Sequence, residues 1–462
     1  MTRRKAGARG AATLAPLLLI PCLSRPAPLA AATLCVSRDG GACHTTIQAA
    51  VTAAAAGDVI QIRPGVYFEN VTVPAGKNGL QLIGAGAAAT ILDPDVPNSG
   101  TGIRIEANAV SVTTLGIRNG QQYGIALASS ASRARIQGVS VVGVRGPAAL
   151  FAEPGGTQHR ILENEIRAAG TTGIHLSGAN ANSTIRGNVV EQIDNAIVAL
   201  GSGLRVDANR IAGANSVGLR VEGARAVVAD NAIERVSQRG LVVVGTNPTV
   251  RRNVLTNAGP AAVTCTACTG GLVVENTCIG SRGFFGLIEG EGLVVSADAP
   301  GLVVRSNLVS RTDAAAFVID GAGVRLERNS AIDTGTRPAG NCYRLQGAGA
   351  HILADSVATR CGGSGIVIQA PNVRLERNVV TGVAVNGIVV DTSAGAFGAV
   401  LIGNEAVDSN AAGFALFSGG GGALLTANRA RGNRYDVCEP PFGLPPPGND
   451  FTTSATVCDL RR

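Results

Sequence analysis

The stretch Ile161-Leu-Glu-Asn164-Glu-Ile166 returns as Val206-Asp-Ala-Asn209-Arg-Ile211 and again as Leu375-Glu-Arg-Asn378-Val-Val380. In each copy, one asparagine stands three residues after an apolar side chain and two residues before another. This frame recurs at steps of 21 to 31 residues, if Asp355 is counted as a substitute for asparagine. The asparagines of the frame are Asn164, Asn188, Asn209, Asn231, Asn253, Asn276, Asn307, Asn329, Asn378, Asn404 and Asn428. Such a period indicates a solenoid of stacked coils.

A second frame follows each asparagine by roughly nine residues, with a small residue before an apolar–x–apolar pattern. Examples are Gly173-Ile-His-Leu176 and Gly365-Ile-Val-Ile368. Both frames alternate with a period of two, which is typical of short strands, and no helical periodicity lies between them. Strands this short bury a core only when many coils stack. We therefore predict an all-β fold, a single-stranded right-handed parallel β-helix.

The two ends of the stack are predicted to be capped, because an end coil would otherwise expose a cross-section of the core. The stretch from Thr46 to Ala56 predicts a short N-terminal capping helix, and the region around Cys438 and Cys458 predicts a disulfide-tied C-terminal cap. The predicted organisation is a signal peptide at 1–32, an N-terminal cap at 33–58, a parallel β-helix at 59–430 and a C-terminal cap at 431–462.

The first residues predict export. A basic start is followed by an apolar run from Ala11 to Leu23 and by small residues at Ala30 to Ala32, the pattern of a signal peptide. Cys22 is a poor lipid-attachment site because Pro21 precedes it. The run is too short for a spanning helix, so the protein is predicted to be secreted or periplasmic and not integral to a membrane.

Charge argues against a nucleic-acid partner. The whole chain carries +7, but the predicted signal peptide holds five basic residues and no acidic one, so its removal leaves +2. A nearly neutral protein lacks the long-range field of a general nucleic-acid binder. Aromatic residues make up 3% of the chain and tryptophan is absent, so the core is predicted to be aliphatic.

Cysteines of an exported protein are expected to form disulfides. We predict the pairs Cys35–Cys43, Cys438–Cys458 and Cys342–Cys361. Three cysteines remain after these pairs, so one thiol stays unpaired, and these three are Cys265, Cys268 and Cys278. The Cys265-x-x-Cys268 spacing is a weak zinc signal because no second pair follows.

The start of the predicted β-helix carries a resemblance. Ile47-Gln-Ala-Ala-Val51, the segment from Gly57 to Val73 and Leu80-Gln-Leu-Ile-Gly84 together resemble the opening of pectin-lyase-like β-helix proteins, which include pectin methylesterases and a periplasmic copper-insertion family. With the repeats, the resemblance covers roughly residues 44–450. It implies a superfamily of polysaccharide lyases, hydrolases, esterases and epimerases, together with members that have no known chemistry. The active-site motifs of these enzyme families are missing from this chain, so no catalytic residue is carried over.

Stacking of the coils brings outward-facing residues into columns, and the columns suggest a site. Asp207 and Asp230 are the candidate catalytic pair, as acid and base on adjacent coils. The candidate substrate-binding residues surround them or lie on the second strand frame, and these are Arg160, Glu163, Arg186, Arg205, Arg251, His175 and Arg220. Arginines would suit a uronate or a sulfate, because a guanidinium binds such groups in bidentate fashion.

No metal or cofactor is predicted. The long step between Asn276 and Asn307 contains Phe284 and Phe285 as well as three acidic residues, Glu289, Glu291 and Asp298, for which Ca²⁺ is an alternative to plain solubility. The charged columns have an equally simple alternative, because alternating Arg and Asp or Glu solvates a face without repulsion. A second block of the same composition favours this view, and it consists of Arg305, Arg325, Glu327, Arg328, Arg374, Glu376 and Arg377.

Two functions follow from the sequence. The first is an exported protein that binds or processes an extracellular, acidic polysaccharide, as a lyase or glycoside hydrolase if it is an enzyme. The second is a non-catalytic structural or interaction β-helix on the cell surface or in the periplasm. The sequence leaves open the enzymatic status, the polysaccharide and the oligomeric state.

Overall fold

The structure is a computed structural model, and it describes residues 31–94, 100–283, 290–296, 299–335, 340–417, 422–438 and 448–455. The predicted signal peptide falls almost entirely outside these residues. Residues 32–462 form one compact unit. Within the described residues, every named strand pairs in parallel with strands of neighbouring coils, in one sheet of 17 strands and another of 31. This is the predicted parallel β-helix.

The 17-stranded sheet forms the first face, with one strand from each coil. Its strands are Thr33–Val36, Val59–Ile62, Gln81–Gly84, Ser111–Thr113, Arg135–Gln137, Arg160–Leu162, Thr184–Arg186, Arg205–Asp207, Val227–Ala229, Thr249–Arg251, Leu272–Val274, Val303–Arg305, Arg325–Glu327, Ile352–Ala354, Arg374–Glu376, Val400–Ile402 and Leu424–Thr426. Each of these strands precedes the asparagine of its coil wherever that asparagine is present.

The 31-stranded sheet contains the second and third faces, which run together in Val189–Leu200 and Arg210–Glu222. The other strands of the second face are Gly65–Tyr67, Thr90–Leu92, Gly116–Arg118, Ser140–Val142, Glu165–Arg167, Ala232–Val236, Val254–Ala258, Thr277–Ile279, Leu308–Ser310, Ser330–Ile332, Val357–Thr359, Val379–Thr381, Glu405–Val407 and Arg429–Arg431. The other strands of the third face are Val71–Val73, Thr101–Ile105, Tyr123–Leu127, Ala148–Ala152, Thr172–Leu176, Arg239–Val244, Ala261–Thr266, Glu291–Val295, Phe317–Ile319, Tyr343–Leu345, Ile366–Ile368, Ile388–Asp391, Ala412–Phe417, Tyr435–Cys438 and Ser454–Ala455.

The core is a set of aliphatic columns along the inside of the coils. On the first face, the middle residue of each strand from Ile136 to Leu401 is fully buried, because alternate residues of a strand point to opposite sides. Aromatic rings enter this core in spite of their rarity. Phe317 and Tyr343 are fully buried and stack at 4.8 Å, and the Tyr343 hydroxyl lies 2.9 Å from the carbonyl oxygen of Asn329.

The asparagines form one internal row, as predicted. From Asn164 to Asn329, each side-chain Nδ2 donates to Oδ1 of the next asparagine at 2.9 to 3.0 Å for as long as the next coil supplies one. The same Nδ2 donates to a carbonyl oxygen of the preceding coil, as Asn188 does to Ile161 at 3.0 Å. Asn188 Oδ1 also accepts the backbone N–H of Asn164 at 3.0 Å. Buried amides are thereby satisfied without water.

The position assigned to Asp355 was wrong by one residue. Ser356 occupies the row: its Oγ accepts from the backbone N–H of Asn329 at 3.1 Å, and its own N–H donates to Oδ1 of Asn378 at 3.0 Å. Asp355 stands at the preceding position, where the backbone is left-handed with φ 50° and the side chain faces solvent. The row also extends beyond the predicted repeats, because Asn428 donates to Asn449 at 2.9 Å.

The N-terminal helix forms as predicted but is shorter, Ile47–Ala53, with Thr46 as its N-cap. The Glu69 carboxylate accepts the N–H groups of Ile47 and Gln48 at 2.7 and 2.9 Å, which ties the helix to the second coil. A one-turn 3-10 helix spans Thr392–Ala394. Among the described residues, no helix has the length and apolar character needed to cross a bilayer.

Two predicted disulfides are confirmed, Cys35–Cys43 and Cys342–Cys361. Cys438 is disulfide-bonded, and its predicted partner Cys458 lies outside the described residues. A further disulfide joins Cys265 to Cys268 and leaves Cys278 as a buried free thiol, so one of the three remaining cysteines is unpaired as expected.

Candidate functional site

Several of the predicted site residues line one depression on the first face. It has a volume of about 470 Å³, and we call it the arginine cleft. Its lining residues are Arg135, Gln137, Arg160, Leu162, Glu163, Thr184, Arg186 and Arg205. Arg135 was not among the predicted site residues, although it stands in register with Arg160 one coil later. The same outward column could have identified it.

Strand register places the guanidinium groups of the cleft together. Arg160 is paired with Thr184, and Thr184 with Arg205, so these residues stand in one column. Arg186 stands in the other outward column, opposite Asp207 on the next coil. Parallel strands lie about 4.8 Å apart, so long side chains from four coils reach a common volume.

Hydrogen bonds hold part of this cleft in position. Asp207 is buried behind it and receives Arg205 Nε at 3.0 Å and Arg186 Nε at 3.5 Å. Gln137 accepts Arg135 Nε at 2.8 Å and donates to Glu163 at 2.8 Å. Neither Arg135 nor Arg160 forms an ion pair with any residue that the structure describes. Both cations are therefore available to a ligand.

The two aspartates proposed as acid and base are not at equivalent positions. Asp207 stands two residues before its asparagine and is in register with Ala229, whereas Asp230 stands one residue before its own and has φ 58°. Asp230 is half-exposed and accepts Arg252 Nε and Nη2 at 2.7 and 2.8 Å. These hydrogen bonds lower the pKa of Asp230, so it is poorly suited to donate a proton.

The remaining predicted residues lie outside the arginine cleft. Arg251 is on the first face, in register with Ala229 and Val274. His175 and Arg220 belong to the third face, where both are in register with Val198 between them. Arg220 is paired with Glu222, and burial lowers the pKa of His175.

His159 was placed at the edge of the charged block, but its side chain points into the core. It is fully buried beside the cleft strand, and neither ring nitrogen has a hydrogen-bond partner among the described residues. Burial lowers its pKa to about 4. His159 is therefore a neutral interior residue that a ligand in the cleft cannot reach.

The second charged block is an ion-paired surface. Arg325 is bound to Glu327, Arg374 to Glu376, and Arg377 to Asp355. Because these arginines already have carboxylate partners, the block matches the solvation alternative. It supplies matched controls for the arginine cleft.

A second depression, of about 680 Å³, was missed by sequence reasoning. Its lining residues are Thr256, Asn257, Ile279, Gly280, Arg282, Arg311, Asp313 and Asp333. The long step after Asn276 was a signal for it, but Phe284, Phe285, Glu289 and Asp298 from that step lie outside the described residues. Glu291 is on the third face and is bound to Arg344 at 2.8 Å. Two arginines and two aspartates balance in this depression, so it has no preference for an ion of either sign.

The described part of the chain offers no metal centre. Within those ranges, no group of three or more His, Cys, Asp or Glu side chains is placed to hold an ion. Cys265 and Cys268 are consumed by their disulfide, which leaves no thiolate pair for zinc.

Comparison with known proteins agrees with the fold. The family model described as a right handed beta helix region matches residues 58–211 and 195–355, so the chain belongs to this family. The predicted handedness is thereby confirmed. A comparison with curated proteins gives no match.

Solved structures of low sequence identity share the architecture. A DFA-IIIase from Arthrobacter chlorophenolicus A6 in complex with GF2 is 15% identical with a TM-score of 0.50, over 59% of this chain and 83% of that one. A pectin methylesterase in complex with a hexasaccharide is 16% identical with a TM-score of 0.29, over 50% and 78%. A GH87 alpha-1,3-glucanase catalytic domain in complex with nigerose is 15% identical with a TM-score of 0.30, over 95% and 70%. At these identities the likeness concerns the fold alone.

Proposed function

We propose that this chain is an exported β-helix protein that binds an acidic polysaccharide in the arginine cleft. The observation that carries the proposal is the charge of the cleft, which is lined by four arginines and a single glutamate. Export is supported by the signal-like N-terminus and by the disulfides, which persist mainly in oxidising compartments.

The chemistry of arginine favours a uronate or sulfate group as the recognised feature. A guanidinium presents N–H donors in a planar fork that matches the two oxygens of a carboxylate. Arg135 and Arg160 come from adjacent coils, so they would contact neighbouring acidic groups of one glycan lying along the stack. Asp207 acts as the positioning residue, since it holds Arg186 and Arg205 from behind.

The geometry favours binding over processing. An acid–base mechanism needs a second carboxyl group that reaches the substrate and carries a proton at neutral pH. Asp207 is buried with its oxygens engaged by two arginines, and Asp230 is bound to Arg252 with a lowered pKa. Neither group meets this requirement.

Binding is tested by calorimetric titration with polygalacturonate and alginate at low ionic strength. The double variant Arg135→Gln with Arg160→Gln is expected to bind at least about tenfold more weakly than the wild type, because both unpaired cations are removed. The matched control is Arg325→Gln with Arg374→Gln, which stand in the same outward column but are paired with Glu327 and Glu376. It is expected to bind as the wild type does.

Failure of the wild type to bind either polymer, or an equal loss in the control variant, would contradict the proposal. The same mixtures are assayed for reducing ends and for unsaturated uronate products, and we expect neither. Products would show processing, whereas the absence of both binding and products would favour the structural or interaction β-helix.

A further inference from the structure

Three ring side chains lie together on the outside of the third face, away from the arginine cleft. The rings of Tyr123 and Phe151 are stacked with centroids 4.7 Å apart and planes within 9°. The ring of His175 meets Phe151 edge-on at 5.4 Å and 72°. We call this group the aromatic stack. The chain has only 10 phenylalanines and 4 tyrosines, so a surface cluster of rings is unusual in it.

The stack is not an extension of the core. On either side of Phe151, Leu150 and Ala152 are buried, and Phe151 itself is partly exposed because it points outward. His175 is in register with Phe151 on the next coil and shares its orientation. The position in register on the preceding coil is Ala126, which is too small to fill the surface.

Charges around the stack are balanced. Arg104, in register with Ala126, donates to Glu106 at 3.1 Å and to Glu153 at 3.0 Å. On the opposite side, Arg220 is bound to Glu222. Since each cation already has a carboxylate, the surroundings offer no excess positive charge to an anionic ligand. They do offer acceptor oxygens beside flat apolar rings.

We propose that the aromatic stack binds a neutral pyranose ring. The C–H face of a sugar ring carries partial positive charge and packs on the negative face of an aromatic ring. The sugar hydroxyl groups would donate to the carboxylates of Glu106 and Glu153. The imidazole of His175 forms no hydrogen bond with the described residues and would serve as a further polar contact. This site is separate from the arginine cleft in its face, its charge and its ligand.

The chain contains no tryptophan, so tyrosine fluorescence reports directly on a ligand at Tyr123. The probes are the neutral hexasaccharides of the cello-, malto-, laminari-, isomalto- and manno- series, titrated with fluorescence and calorimetric detection. We expect at least one to bind with saturation. In Tyr123→Leu and Phe151→Leu, affinity for it is expected to fall at least tenfold. Phe397→Leu is the control, because that phenylalanine is 57% exposed and lies elsewhere.

Arg135→Gln with Arg160→Gln should leave neutral-sugar binding unchanged, which separates this proposal from that for the cleft. Thermal melting checks that each variant folds. As a test that needs no variant, saturation-transfer NMR on the wild type should show transfer from aromatic protons to sugar ring protons. No saturable binding by any probe, no such transfer, or wild-type affinity in folded Phe151→Leu would overturn the proposal.

Discussion

His159 shows how one residue in a solenoid can face away from a site that its neighbours line. Arg160 projects into the arginine cleft, while His159, one residue earlier, lies in the core with both ring nitrogens unpaired. Burial without a partner penalises the charged imidazolium, which is why the pKa is lowered to about 4. The cost of this placement appears only when the pH falls.

The stability of the protein is therefore expected to depend on His159 below neutral pH. The folded protein keeps the imidazole neutral down to about pH 4, whereas the unfolded chain takes up a proton near the ordinary pKa of 6.5, so acidification favours unfolding. The shift corresponds to about 3 kcal/mol lost between pH 7 and pH 4. Urea unfolding of the wild type and of His159→Leu across this range measures it. The variant should lose about 3 kcal/mol less than the wild type, and parallel curves would contradict the prediction.

Residue-scale assignments were the least predictable from sequence. Aligning the coils on asparagine identifies the outward columns, but it does not show that Ser356 replaces Asp355 in the row, because both are short and polar. It also cannot show which arginines have partners. Arg160 and Arg325 stand in the same column, yet only Arg325 has a glutamate two residues later. Pairing depends on neighbours of the same coil and of the next one.

At the scale of the element, the asparagine row is the feature that the repeat frame predicted best. Its residues recur in one local frame because the turn needs a buried side chain with both donors and acceptors, and asparagine supplies both. Asn231 illustrates the arrangement: its Nδ2 donates to Val206 and to Asn253, and its Oδ1 accepts from the backbone and side chain of Asn209.

Removal of one asparagine from the row is expected to be strongly destabilising. Asn231→Ala leaves buried partners on both neighbouring coils unsatisfied, at about 1 to 3 kcal/mol for each group left without a bond. The total loss should therefore be about 3 kcal/mol or more, measured by chemical denaturation. The control is Asn215→Ala, an exposed asparagine of the preceding coil that makes one side-chain bond to Asp194 at 3.0 Å. Equal effects in the two variants would argue against a structural role for the row.

The whole molecule is a linear array, and its coils contact mainly their neighbours. Stability in such an array is close to a sum over coils and interfaces. This is why the architecture could be predicted from period alone, while the clefts could not. The arginine cleft and the aromatic stack depend on side chains from several coils and on offsets between columns, as Tyr123 shows by stacking on Phe151 from outside its column.

Deletion of one complete coil is expected to be tolerated. Asn209 and Asn231 are 22 residues apart, so removal of residues 210–231 brings the next coil into register on Asn209. Circular dichroism should keep its β signal, and polygalacturonate binding should persist because the arginine cleft ends at Arg205. Deletion of residues 210–220 alone removes half a coil and should prevent folding. If both deletions behave alike, the array description fails.

The direction of the bonds in the asparagine row has an electrical consequence. Every side-chain N–H points toward the C-terminal coils and every Oδ1 toward the N-terminal ones, so the amide dipoles add along the axis of the stack and polarise one another. Ser356 receives no side-chain N–H from Asn329, and this divides the polarity into two segments. The negative end of the first segment, at Asn164, belongs to the coils whose arginines line the cleft. A parallel β-helix thus acquires from its side chains the axial polarity that an α-helix acquires from its backbone.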